Sequence, residues 1–183
     1  MSETTEKGNK NLQESLLSDL QSSNETKIIN ALDKIKEKGN VVMITPMMDV
    51  FEDTENVLIK EMIRTIFSEL KVSTALVPLV EGLQRNNDEL NEVILFSLWH
   101  ANFNPILFIE EIVSVCCEGS YMTALEGLTL IENLEGPFNE EVLLAAKNVL
   151  TEYFQEIDKV EGKEDLMQSM QEQIDGFFNF LVV

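Results

Sequence analysis

Between residues 26 and 156, apolar side chains recur at spacings of three and four, and turn residues interrupt them about every dozen positions. No period-two alternation of the kind a half-buried strand needs competes with this pattern, so the chain reads as helices in tandem. The interruptions are Gly39-Asn40, Asp53-Thr54-Glu55, Lys71 to Ser73, Asn86-Asn87-Asp88, Asn102 to Pro105, Glu118-Gly119-Ser120 and Glu135-Gly136-Pro137. They bound expected helices at 26–38, 41–53, 56–70, 73–85, 88–101, 105–117, 120–134 and 138–156. Leu58, Met62, Ile66 and Leu70 form one apolar stripe; Leu90, Ile94 and Leu98 form another, and Val142, Ala145, Ala146 and Val149 a third. Ile106 to Cys117 is apolar nearly all round apart from Glu110, Glu111 and Ser114, so that helix should be covered on both sides.

Alternate expected helices start at 41, 73, 105 and 138, a spacing of about 32 residues in the range of solenoid repeats. Thr45-Pro46-Met47-Met48-Asp49-Val50-Phe51 aligns with Val77-Pro78-Leu79-Val80-Glu81-Gly82-Leu83: a proline, an acid three residues on, and apolar flanks. Pro46 and Pro78 should each kink a helix or mark its true first turn, and Asn104 before Pro105 is an expected cap. The proline-bearing helix ending in Glu52-Asp53, followed by Val57 to Leu70, resembles the HEAT and armadillo class of helical repeats. Glu141 to Leu150 resembles the second helix of a HEAT unit, whereas Leu58 stands where that family commonly has arginine.

The resemblance implies an all-α fold, a right-handed α-α superhelix of about four helix pairs with terminal capping helices. On this reading residues 1–24 form a polar, mobile tail with a short amphipathic helix carrying Leu12, Leu16, Leu17 and Leu20. Residues 25–158 form the repeat array, and 159–183 a capping helix with an apolar tail. The proline-bearing helices suggest one alternation of helix sets and the 138–156 helix the opposite, so the set lining the concave face stays open. A superhelix of this class presents an extended groove, which implies an adaptor or scaffold that binds another protein.

Charge narrows the partner. Asp and Glu number 33 against 13 Lys and Arg, for a formal net charge of -20. A chain this negative is repelled by phosphate backbones and anionic membrane surfaces, which disfavours direct nucleic-acid binding. Basic proteins or segments are the electrostatically favoured partners. No run approaches the ~18 apolar residues of a membrane span. Met1 to Lys10 carries no apolar signal stretch, and the two cysteines, Cys116 and Cys117, are vicinal, so a cytoplasmic location is the expectation.

Catalytic and cofactor signatures are weak. The sole histidine, His100, has no sequence signature supplying a nucleophile or an orienting carboxylate, and one His beside two vicinal cysteines lacks paired metal-ligand spacing. Cys116 and Cys117, near Glu110, Glu111 and Glu118, read as structural thiols. No glycine-rich phosphate loop occurs. The expectation is therefore no enzyme, no cofactor and no metal, with acids recurring at matched repeat positions as the candidate binding residues. They are Asp49, Glu81 and Glu111 on the proline-bearing helices and Glu61, Glu92 and Glu126 on the intervening ones.

The tail adds Phe177, Phe178 and Phe180, behind a stripe of Leu166, Met167, Met170 and Ile174, as a cap or as a surface for self-association; Gly176 should weaken the helix there. Rival readings are an inhibitor or immunity-type protein that sequesters a basic partner, and a helical-repeat enzyme such as a lyase or a DNA-repair glycosylase. The glycosylase would need a basic groove, and Arg64 and Arg85 are the only arginines.

Overall fold

A computed structural model describes residues 3–38, 41–156 and 160–181. Among them are ten α-helices and no strand, so the chain is all-α. The helices are α1 Glu3–Leu20, α2 Glu25–Lys38, α3 Ile44–Asp53, α4 Val57–Ser68, α5 Leu76–Gly82, α6 Asp88–His100, α7 Ile109–Glu118, α8 Tyr121–Glu132, α9 Glu140–Gln155 and α10 Glu164–Phe177. Each helix expected between 26 and 156 is present. The first helix is longer than expected, because the polar residues before Leu12 already belong to α1.

Local chemistry sets the helix starts. Single-turn 3-10 segments, Val41–Met43, Ser73–Ala75 and Ile106–Phe108, lead into α3, α5 and α7. Pro46 and Pro78 are each the third residue of their α-helix, within the first turn, where the missing N–H has no partner to lose. The intervening helices start on side-chain caps. Asn24 accepts from the Thr26 N–H at 3.0 Å, Asn56 from the Leu58 N–H at 3.0 Å, Asn87 from the Leu90 N–H at 3.1 Å and Ser120 from the Thr123 N–H at 3.3 Å. The cap expected of Asn104 does not form: its amide donates instead to the Glu135 carbonyl at 2.7 Å, and α7 begins without a side-chain cap.

The chain divides into two compact units, Met1–Ala75 and Leu76–Val183. In the first, α1 packs on α2 and α3, and α4 on α2 and α3. Leu20, Leu32, Ile35, Met47, Phe51, Ile63 and Phe67 fill its core. The Asn56 amide donates to the Glu25 carboxylate at 2.8 Å beside the starts of α2 and α4, and Lys36 pairs with Glu69 at 3.2 Å near their ends. The two helices therefore run side by side in one direction.

In the second unit α6 packs on α8 and α8 on α10, while α7 packs on α8, on α9 and on the 3-10 turn Leu83–Arg85. α7, which buries Ile109, Ile112, Val113 and Cys116, is thus covered on two sides, as expected of the segment Ile106 to Cys117. α9 lies against α7. Gly127 allows the close approach of α8 to α7: a Cβ there would collide with the Cys116 sulfur. α10 buries Met167, Met170, Ile174 and Phe177 against α8 and α9. Gly176 lies inside α10 with nothing within 4 Å of its added Cβ, so the helix continues through it to Phe177. Phe177 stacks on Phe138, centroids 4.1 Å apart, and Leu181 bridges to Phe138.

Candidate functional site

The acids singled out by repeat position are dispersed over the helices and differ in exposure. Asp49 on α3, Glu81 on α5 and Glu61 on α4 are exposed; Glu111 on α7, Glu92 on α6 and Glu126 on α8 are half-buried. Glu126 accepts from the Trp99 indole N–H at 2.7 Å, which ties α8 to α6. Of the tail aromatics, Phe177 is interior and Phe178 half-buried with Lys147 over its ring, whereas Phe180 is 70% exposed.

Glu61 lies on a groove with an apolar floor. Leu32, Asp33 and Lys36 of α2 face Leu58, Glu61, Met62, Thr65 and Ile66 of α4 across a surface groove of about 250 Å³. Leu32 and Ile66 are buried, but Leu58 is 56% exposed, an unfavourable arrangement for a leucine at the mouth of a cleft. Asp33 and Glu61 stand at the rim, and the charge of Lys36 is met by Glu69. The Glu25 and Asn56 bond and the Lys36 and Glu69 pair flank the groove at either end.

A second concavity, about 340 Å³, opens at the shared end of α6 and α8 and is lined by Trp99, Asn102, Phe103, Asn104, Asn133 and Glu135. Its geometry follows from how α6 ends. Asn102 takes the left-handed conformation, φ 57°, and the Phe103 N–H donates to the Leu98 carbonyl at 2.9 Å, the bond that closes a Schellman turn. That turn sets Phe103 beside Trp99 on the wall. Trp99 is further ordered by an edge contact to Phe96, centroids 5.3 Å apart, and the exposed His100 stacks on the same Phe96 ring.

Cys116, Cys117, Asp88 and Lys163 gather at the corner between α7, α8 and α10. Lys163 is 0% exposed; its ammonium donates to the Cys117 carbonyl at 2.7 Å and the Gly119 carbonyl at 2.5 Å and lies 5.5 Å from the Tyr153 ring centroid. Burial pushes the lysine below its ordinary value, against the partial compensation of the thiols and nearby acids. Burial likewise raises both thiols, Cys117 to about 12 even with Lys163 opposing. Protonated, buried thiols are poor nucleophiles, consistent with structural cysteines. Burial raises the Asp88 carboxyl, but hydrogen bonds from Thr123 and Ser120, aided by Lys163, outweigh it and hold the group below the usual carboxylate value.

Glu25, Asp88 and Lys163, which tie helix to helix, do not stand out by repeat position. A readable signal existed for the first two: the caps Asn24, Asn56, Asn87 and Ser120 recur at 32, 31 and 33 residues, and Glu25 and Asp88 each follow or open such a helix start. Among the described residues no group of three His, Cys, Asp or Glu is placed to hold a metal ion, and no helix is long and apolar enough to cross a membrane. Comparison with protein-family models, with curated proteins and with solved structures finds no match to the chain.

Proposed function

We propose that this chain is a non-enzymatic protein-binding module, an adaptor or scaffold of HEAT-like superhelical architecture, that takes a basic amphipathic segment of a partner protein. The α2 and α4 groove carries the reading: an apolar floor with exposed Leu58, rimmed by Asp33 and Glu61, in a chain of net charge -20. The repeat architecture is supported by bonds between corresponding helices or their flanking turns, most of them 31 to 33 residues apart, with Trp99 to Glu126 at 27. Glu25 to Asn56 and Asn104 to Glu135 span 31 residues, Asp88 to Ser120 spans 32 and Lys36 to Glu69 spans 33. The first residue of α2 accepts from the side-chain amide of the cap of α4, and the first residue of α6 accepts from the backbone N–H of the cap of α8, so an acid links corresponding helix starts in each unit.

The test is fluorescence polarisation with a labelled helical peptide bearing leucines at i, i+3, i+4 and i+7 and lysines elsewhere, and with its glutamate counterpart. The lysine peptide should bind, the glutamate peptide should not, and affinity should fall about tenfold or more between ~0.05 and ~0.5 M salt. Leu58→Asp with Glu61→Lys should weaken binding about tenfold or more, whereas Glu152→Lys, exposed on α9, should change it far less. Equal losses in the two variants would refute the groove as the binding surface.

A further inference from the structure

We propose that the concavity at the end of α6 and α8 is a receptor for a single arginine side chain, an anchor for the basic partner; this rests on the reading of the chain as a module for basic proteins. The carboxylate, the amide oxygens and the rings of the wall favour a flat cation. The Asn104 amide nitrogen is committed to the Glu135 carbonyl at 2.7 Å, and the Asn133 amide nitrogen to the Thr129 carbonyl at 2.7 Å. Because a carbonyl can only accept, these bonds fix which end of each amide is nitrogen. Each amide still offers its Oδ1 oxygen as an acceptor, beside one remaining N–H. Glu135 adds a carboxylate, which at neutral pH also only accepts.

Such a wall suits a donor-rich cation. A guanidinium carries five N–H donors and no acceptor, in a flat fork that can meet several separate oxygens. A phosphate or carboxylate would meet the like charge of Glu135 in a chain of net charge -20. The aromatic part of the wall points the same way: Trp99 and Phe103 supply ring surfaces on which a guanidinium can stack. The Trp99 N–H donates to the Glu126 carboxylate, and a charged acceptor on the indole N–H shifts electron density onto the ring, strengthening its attraction for a cation. The volume, about 340 Å³, accommodates one such head group with water.

Trp99 is the only tryptophan in the chain, so its emission reports on this concavity directly. The full chain is titrated with the capped tripeptides acetyl-Gly-Arg-Gly-amide, acetyl-Gly-Lys-Gly-amide and acetyl-Gly-citrulline-Gly-amide; citrulline keeps the shape of arginine and removes the charge. The arginine peptide should give a saturable change in Trp99 emission at about millimolar concentration. The lysine peptide should require severalfold more, and the citrulline peptide should give no saturable change. Glu135→Gln, at an exposed position and without loss of its backbone carbonyl, should weaken the arginine response about fivefold or more.

A response to citrulline equal to that for arginine, or a wild-type response from Glu135→Gln, would overturn the proposal. If arginine leaves Trp99 silent while the amphipathic lysine peptide still binds the α2 and α4 groove, the anchor is refuted and the binding-module reading stands. If neither peptide binds, both fall.

Discussion

Asp88 illustrates how much one side chain can hold together and how little of that its neighbours in sequence disclose. It opens α6, yet its carboxylate accepts from the Ser120 N–H at 2.9 Å and the Thr123 hydroxyl at 2.7 Å, so it caps a helix start 32 residues away. Asp88→Ala should cost about 1 to 2 kcal/mol in urea unfolding, since one N–H and one hydroxyl lose their partner. The pH dependence has a definite sign. Its carboxyl is held lower in the folded chain than in the unfolded one, so the stabilisation is complete above the unfolded value and drains away as pH falls through the folded one. Stability measured from pH 6 down to ~2.5 should therefore fall less steeply in Asp88→Asn than in the parent; parallel acid limbs would assign the loss to other carboxylates. The sequence marks Asp88 as the residue after the Asn87 cap, but does not say which other helix start it reaches. Its partner is chosen by helix register, which only packing sets.

Helices were the most legible level, because each is encoded by a period within about fifteen residues and by punctuation at its ends. Pro46 and Pro78 announced a kink or a first turn, of which the first turn is observed, and the apolar residues of α7 announced a helix with neighbours on two sides. Legibility failed where an end is decided from outside. Asn104 has the chemistry of a cap but commits its amide to Glu135, and Gly176 carries no breaking penalty large enough to stop a helix whose Met167, Met170 and Ile174 are buried. Lys163 follows a glycine in a polar boundary segment, yet its ammonium fastens the start of α10 to the carbonyls of Cys117 and Gly119. Lys163→Met keeps the aliphatic stem and leaves both carbonyls without that donor, at a cost of about 2 kcal/mol. Hydrogen exchange should then speed up in α10 and at the end of α7 while α2 and α4 keep their protection. Uniform acceleration, or none, would mean the ammonium is not what holds α10 in place.

At the level of the whole molecule a net charge of -20 acts with opposite signs on folding and on binding a basic segment. A net charge of -20 places mostly like-charged side chains on a folded surface, where they stand closer together than in the expanded chain. Pairs of opposite sign such as Lys36 with Glu69 and Lys147 with Asp175 offset part of this repulsion, but they are exposed and each contributes well under about 1 kcal/mol. Raising salt from ~0.01 to ~0.1 M shortens the screening length from about 30 to about 10 Å, which removes long-range repulsion first and touches contact pairs least. The midpoint of thermal unfolding should therefore rise with salt by a few degrees, on the order of 1 kcal/mol for a chain of this size. Over the same range the affinity for a lysine-rich segment should decline, because its attraction to the acidic rim is screened as well. Circular dichroism melts and peptide titrations across one salt series check both signs together. A midpoint that falls with salt would show that attractive pairs outweigh repulsion, and would remove the ground for treating the acidity as charge held in readiness for a basic partner.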